Sequence, residues 1–313
     1  MERKNTRLEI VARGPARKGK TSGGAQARNQ PQQVSGRWLL FAVGGMIAVA
    51  ALCAWGALCL LFWQGSWQLL YHPATAIART PASVGLAFDP VGFAATEEGT
   101  PRLKGWWIPA ADGAAFGRFT VLFLHGQNDN LGGAVNALDR LHRLGVNVLA
   151  FDYRGYGQSE FARPSEARWR QDAEWALQYL TATRHVNPNA IVLDGEGLGA
   201  NLALETGAAH PELAGVILES PVASPMDVIF NDARARLVPA RLLVRDRYDL
   251  SAAAVRLQIP ALWLESDAGS SQEPDAYRKI AARKSIVWMS PSPDRDKQFS
   301  DAVSRWLDDL PHR

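Results

Sequence analysis

Cysteine and histidine are scarce in this chain of 313 residues, which has two of the first and six of the second. Two cysteines, Cys53 and Cys59, exclude a disulfide-stapled scaffold and a cysteine-rich metal site. No histidine lies between His210 and the penultimate His312, so a long C-terminal stretch offers no imidazole base. Charge is missing locally: Trp38 to Ala78 contains no Asp, Glu, Lys or Arg. Basic residues are confined rather than rare. Residues 1–37 hold nine Lys/Arg against two Asp/Glu, leaving 25 basic and 29 acidic residues in the rest. The net charge of +3 is therefore a property of the tail, and no nucleic-acid partner is expected. Apolar residues make up 47%, which excludes wholesale disorder and allows a full core.

The sequence divides into three parts. Residues 1–37, rich in Gly, Gln, Asn, Arg and Lys without apolar periodicity, read as a disordered basic tail. Residues 38–63 are 26 uncharged positions that would span about 39 Å as a helix, against about 30 Å of bilayer hydrocarbon. A secretory signal has a shorter apolar core of about 7–15 residues, and this run stays bulky through Leu60-Leu61-Phe62-Trp63. Trp38 at one end and Trp63 and Trp67 at the other match interfacial aromatic belts. A single-pass membrane anchor is the expectation. The positive-inside rule then keeps the tail cytoplasmic and puts the folded part on the non-cytoplasmic side, periplasmic if the source is Gram-negative. Residues 64–313 form the third part.

There, apolar runs rich in β-branched and aromatic residues alternate with amphipathic stretches. Strands are expected at Leu103–Ile108, Thr120–Leu124, Val146–Phe151, Ala190–Asp194, Gly215–Glu219, Ala261–Glu265 and Ser285–Met289. Helices are expected at Ala134–Leu144, Ser165–Thr183, Leu198–Ala209, around Asp227–Val244 and at Lys297–Leu310. Such alternation predicts an α/β class with a mostly parallel sheet and helices on both faces.

Several motifs follow in order. Phe123-Leu124-His125-Gly126-Gln127 closes a strand and opens a loop; Asp152-Tyr153-Arg154-Gly155-Tyr156-Gly157 reads as a tight turn with an internal Asp–Arg pair. Leu193-Asp194-Gly195-Glu196-Gly197-Leu198-Gly199 runs from strand to helix, and Leu218-Glu219-Ser220-Pro221 follows. With Leu70-Tyr71-His72-Pro73 and Arg245-Asp246-Arg247-Tyr248, the set resembles the α/β-hydrolase superfamily, in particular its single-pass, membrane-anchored lysophospholipase- and serine-peptidase-like branch. The resemblance covers about residues 69–310 and implies the α/β-hydrolase fold.

It also implies a Ser–His–acid triad, and the matching positions do not carry one. The elbow Gly-x-Ser-x-Gly is Gly195-Glu196-Gly197-Leu198-Gly199, so the nucleophile position is Gly197. The family's acid falls on Gly269, with Asp267 as the nearest carboxylate. The family's histidine falls near Asp294. Without serine or histidine the triad logic has nothing to act on. Glu196, Ser220, Ser224, Ser270 and Ser271 are weighed as substitutes: the glutamate is expected to point away from the space that residue 197 addresses, and the serines read as turn or capping residues. His142, His185 and His210 read as surface residues, and His312 lies about 18 Å of helix from the catalytic turn. No cofactor or metal is implied. The oxyanion-hole donors, backbone N–H groups of Leu198 and, by resemblance, Gln127, are retained and would suit an acyl oxygen or carboxylate. Two functions stay open: a non-catalytic binding or scaffolding protein for a lipid, an acyl ligand or a partner protein, and an active hydrolase of acyl esters or peptides with a displaced nucleophile.

Overall fold

The computed structural model describes residues 35–266, 272–291 and 293–311. Two units meet between Leu52 and Cys53. In the first, residues 36–52 belong to helix α1 (Gly36–Gly65) and are exposed along their whole length. This helix is long and apolar enough to cross a membrane.

The second unit is built on an eight-stranded sheet: β1 (Asp89–Ala95), β2 (Pro101–Ile108), β3 (Thr120–Leu124), β4 (Asn147–Asp152), β5 (Ile191–Glu196), β6 (Gly215–Glu219), β7 (Ala261–Ser266) and β8 (Lys284–Met289). The strand order is β8-β7-β6-β5-β3-β4-β2-β1. β2 is antiparallel to β1 and β4, and every other pairing is parallel. All seven strands expected from the sequence are present. β1 escaped that reading because its Asp89-Pro90 start and Gly92 dilute the β signal.

The helices are α2 (Val135–Arg143), α3 (Glu166–Gln178), α4 (Leu198–Ala209), α5 (Pro225–Phe230), α6 (Ala240–Leu243), α7 (Leu250–Arg256), α8 (Asp275–Lys279) and α9 (Arg295–Asp308). Side-chain alternation along the buried strands divides the core into two layers. Leu122, Leu124, Leu149, Phe151 and Leu193 face α3, α4 and α7. Val121, Phe123, Val148, Ala150 and Val192 face α2 and α9. The stretch around Asp227–Val244 is α5, a 3₁₀ turn at Ala233–Arg236 and α6 rather than one helix, since Pro239 interrupts it. The short α7 and α8 were not expected; each has too few residues to establish a helical period.

This order of strands brings the carboxyl ends of β3, β5 and β6 side by side. The turn leaving β3 and the turn leaving β5 therefore share one edge of the sheet, which is where α/β sheets place their crevices.

Candidate functional site

The β5–α4 turn keeps the geometry of a nucleophile elbow. Gly197 at its apex has φ 57° and ψ −121°, a conformation that is strained for an L side chain and free for glycine. Its N–H donates to the Glu219 carbonyl at 2.9 Å, and its carbonyl accepts from Ala200 N–H at 3.1 Å, starting α4. Gly199, one residue inside α4, lets the helix pack directly against the end of β3, because a Cβ there would run into the Leu124 carbonyl.

The Leu198 N–H, expected from the resemblance to be an oxyanion-hole donor, is occupied from within the chain. Leu198 N–H donates to Gln127 Oε1 at 3.1 Å. A Cβ on residue 197 would lie 2.9 Å from that same oxygen. The Gln127 carboxamide thus fills the space directly before the apex. Its backbone is fixed as well, for the Gln127 carbonyl accepts from His72 N–H at 2.9 Å and from the Tyr156 hydroxyl at 2.8 Å.

Around this plug lies a cleft of about 330 Å³, lined by the His125–Asn130 loop, Glu196, Gly197 and Ser220. Among the described residues its carboxylates are Asp129 and Glu196, and no Lys or Arg lines it. A free carboxylate would meet negative charge on entering. Glu196, expected to address another space, stands exposed on the rim of the same cleft. Ser220 also lines it, with φ 45°, and its Oγ lies 3.2 Å from Ser266 Oγ.

His125 lines the same cleft and is buried among Tyr153, Tyr156 and Trp169, with ring centroids at 4.5, 5.3 and 6.3 Å. Its Nδ1 is 2.8 Å from the Gly126 carbonyl, which makes Nδ1 the protonated nitrogen. Its Nε2 has no hydrogen-bond partner and faces Asp152 Oδ1 at 3.7 Å, not a hydroxyl. Burial pushes the imidazole down to about 4, against the hydrogen bond to Gly126. Burial pushes the Asp152 carboxyl up to about 7, with the Leu131 N–H holding it down. The expected Asp–Arg pair within the turn is not formed. Asp152 is used by the loop beyond His125, and Arg154 instead pairs with Asp172, Nε to Oδ1 at 2.6 Å. Burial raises the Asp172 carboxyl to about 6, against that guanidinium. The glycines do as expected: Gly155 and Gly157 both have positive φ.

Two more acids lie in the sheet beneath the elbow. Glu219, at the end of β6, receives both its oxygens' hydrogen bonds from Arg140 Nη2 at 2.8 Å. Asp194, in the middle of β5, is fully buried and neither oxygen has a hydrogen-bond partner. Desolvation pushes its carboxyl far above the usual range, and nearby Glu219 adds to that. Neither acid was singled out from the sequence. The available signal was a lone carboxylate closing or interrupting an otherwise apolar strand.

Gly269, Asp267, Ser270, Ser271 and His312 lie outside the described residues. Asp294 sits immediately before α9, its carbonyl accepting Gln298 N–H at 2.9 Å, and it is exposed. Ser224 precedes α5 and its carbonyl accepts Asp227 N–H at 3.0 Å. His142 is half-buried on α2 and His185 is exposed. His210 is clamped between Glu174 and Glu212 at 2.9 and 2.8 Å. Burial opposes its charge, but those two hydrogen bonds prevail and raise its pKa. Among the described residues no cluster of His, Cys, Asp and Glu could hold a metal ion.

An eight-stranded, mostly parallel sheet with an elbow at the end of its fifth strand defines the α/β-hydrolase class. The solved structures agree. The esterase Pf2001 of Pyrococcus furiosus aligns with a TM-score of 0.58 at 18% identity, over 77% of this chain and 97% of that one. An alpha-beta hydrolase of Vibrio vulnificus aligns at 0.53 and 22% identity, over 73% and 80%. Residues 117–286 match the serine aminopeptidase S33 family of hydrolases, and the chain belongs to it. Relatives include the uncharacterized protein Rv2307c of Mycobacterium tuberculosis, 31% identical over 228 residues, 73% of this chain and 77% of that one. The uncharacterized protein YfhR of Salmonella typhimurium is 32% identical over 63% of this chain and 69% of its own length. The mouse alpha/beta hydrolase domain-containing protein 17C is 36% identical over 37% and 36%.

Proposed function

We propose that this chain is a membrane-anchored, non-catalytic member of its family, a binding or scaffolding protein that keeps the fold and the cleft without the triad. One observation carries the reading: the elbow apex is Gly197, and the Gln127 carboxamide fills the space a serine side chain would need. Among the described residues, Ser220 of the cleft pairs with Ser266 and the buried His125 faces Asp152, which supports the same reading. The cleft's carboxylates favour a neutral acyl group, such as a lipid ester, over a free fatty acid. The anchor would be α1, which carries no charge between Trp38 and Trp63. With the basic tail held in the cytoplasm the folded unit lies on the opposite side. Protease added to vesicles of known orientation checks this: digestion of the folded unit from the cytoplasmic face would refute it.

The catalytic half of the reading is tested by restoration. Gly197→Ser alone should hydrolyse p-nitrophenyl esters no faster than the wild-type chain, because a serine without a histidine lacks a base. It should also lose about 1–3 kcal/mol of stability, the cost of an L residue at φ 57°. Strong esterase activity in this variant would mean that a working acid and base are present.

A further inference from the structure

We infer that the segment 233–245 is a second membrane contact, resting on the lipid leaflet beside the folded unit with Leu237 and Leu242 at the acyl-chain boundary and its arginines toward anionic headgroups. The inference rests on the anchoring proposed above and adds to it a surface that no part of the triad argument uses.

The segment does not pack on the sheet. Ala235, Val238, Ala240 and Val244, together with Ile229, form a separate small core around Phe62, near the end of α1, with Leu58 and Cys59 against it. The Trp55 indole N–H donates to the Leu237 carbonyl at 3.2 Å. Trp55 lies ten residues before Gly65, the last residue of α1, which is about 15 Å along the helix axis. A headgroup layer is only about 5–8 Å thick on each side of the hydrocarbon. With Gly65 at the aqueous edge of the headgroups, the Leu237 backbone lies at the hydrocarbon boundary or deeper. The side chains suit that depth: Leu237 is 61% exposed and Leu242 82% exposed, although Ala235, Val238, Ala240 and Val244 of the same segment are buried.

Charge points to the same surface. Residues 233–245 contain Arg234, Arg236, Arg241 and Arg245 and no acidic residue. Asp232 holds Arg234 at 2.8 and 2.9 Å, and Arg241 lies over the Phe230 ring at 4.8 Å. Arg236 and Arg245 are exposed. Exposed leucines framed by arginines, level with an apolar helix, have the composition of an interfacial membrane contact. Isolated exposed leucines are ordinary; their place beside the lipid-facing helix is what distinguishes these.

The test uses the full chain, with Cys53→Ala and Cys59→Ala, reconstituted into phosphatidylcholine–phosphatidylglycerol vesicles. A bimane label is placed at Leu242→Cys and, separately, at Asp308→Cys, which is exposed at the end of α9 on the far face of the sheet. Lipids carrying a spin label near the top of the acyl chain should quench the label at 242 by about half or more and leave that at 308 unchanged. Quenching at 242 should fall when phosphatidylglycerol is omitted. An unquenched label at 242, in a chain that resists carbonate extraction, overturns the inference while anchoring stands, and shielding of that label without quenching overturns it in favour of contact with a second copy of the chain. A chain removed by carbonate overturns both.

Discussion

At the scale of single residues, the site is decided by a substitution and its neighbour. Glycine at 197 presents no hydroxyl at the elbow apex and holds φ 57° without the strain an L side chain would carry there. Gln127 then takes the vacated space and caps Leu198 N–H. Any acyl oxygen seeking that N–H must first displace the carboxamide. Gln127→Ala should therefore tighten binding of a short, neutral acyl ester by about 1 kcal/mol, or roughly fivefold, the net worth of one neutral hydrogen bond. Isothermal titration against the same ester measures it. Equal or weaker binding by the variant would show that Gln127 belongs to the ligand site and does not block it.

The elements differ in how much of them could be read in advance. β3 and β6 and helix α4 were legible to the residue, because Thr120–Leu124 and Gly215–Glu219 are unbroken buried runs and Leu198 follows a glycine turn. The elbow was legible too, since its glycine spacing is local. The plug was not: Gln127 and Leu198 are 71 positions apart, and only the β3–β5 pairing brings their turns together. Arg154 misled for the same reason, as its partner Asp172 is on α3 and not in the turn. The carboxyls of β5 and β6 were equally hidden. Asp194 lies between Phe123 and Ile217 across the sheet and has no hydrogen-bond partner, so it costs stability whenever it is charged. Its folded pKa is raised, so the folded state keeps this proton after the unfolded chain has lost it. Stability then falls as pH rises above the ordinary carboxyl value of 3.8. Asp194→Val should stabilise the fold by about 1–3 kcal/mol, with a larger gain at pH 8 than at pH 5. Asp152, raised to about 7, acts in the same direction in both proteins and cancels from the comparison. Thermal melts at the two pH values give the result; a gain that shrinks toward pH 8 would contradict a neutral buried Asp194.

For the whole molecule, the fold and the chemistry separate. The sheet order and the elbow turn are those of a hydrolase, while glycine stands at the elbow apex and an exposed aspartate, Asp294, precedes α9. Fold membership on its own thus says little about turnover, because the triad depends on a few side chains that the sheet can form without. At the sheet edge lies a cleft in which the Gln127 amide takes the Leu198 N–H, on a unit whose α1 is long and apolar enough to cross a membrane. The most direct measurement is the intact mass of the folded, detergent-solubilised chain after exposure to a fluorophosphonate probe. The account predicts no adduct. A stoichiometric adduct, above all one mapped to Ser220, would show an activated serine and return the protein to the working hydrolases.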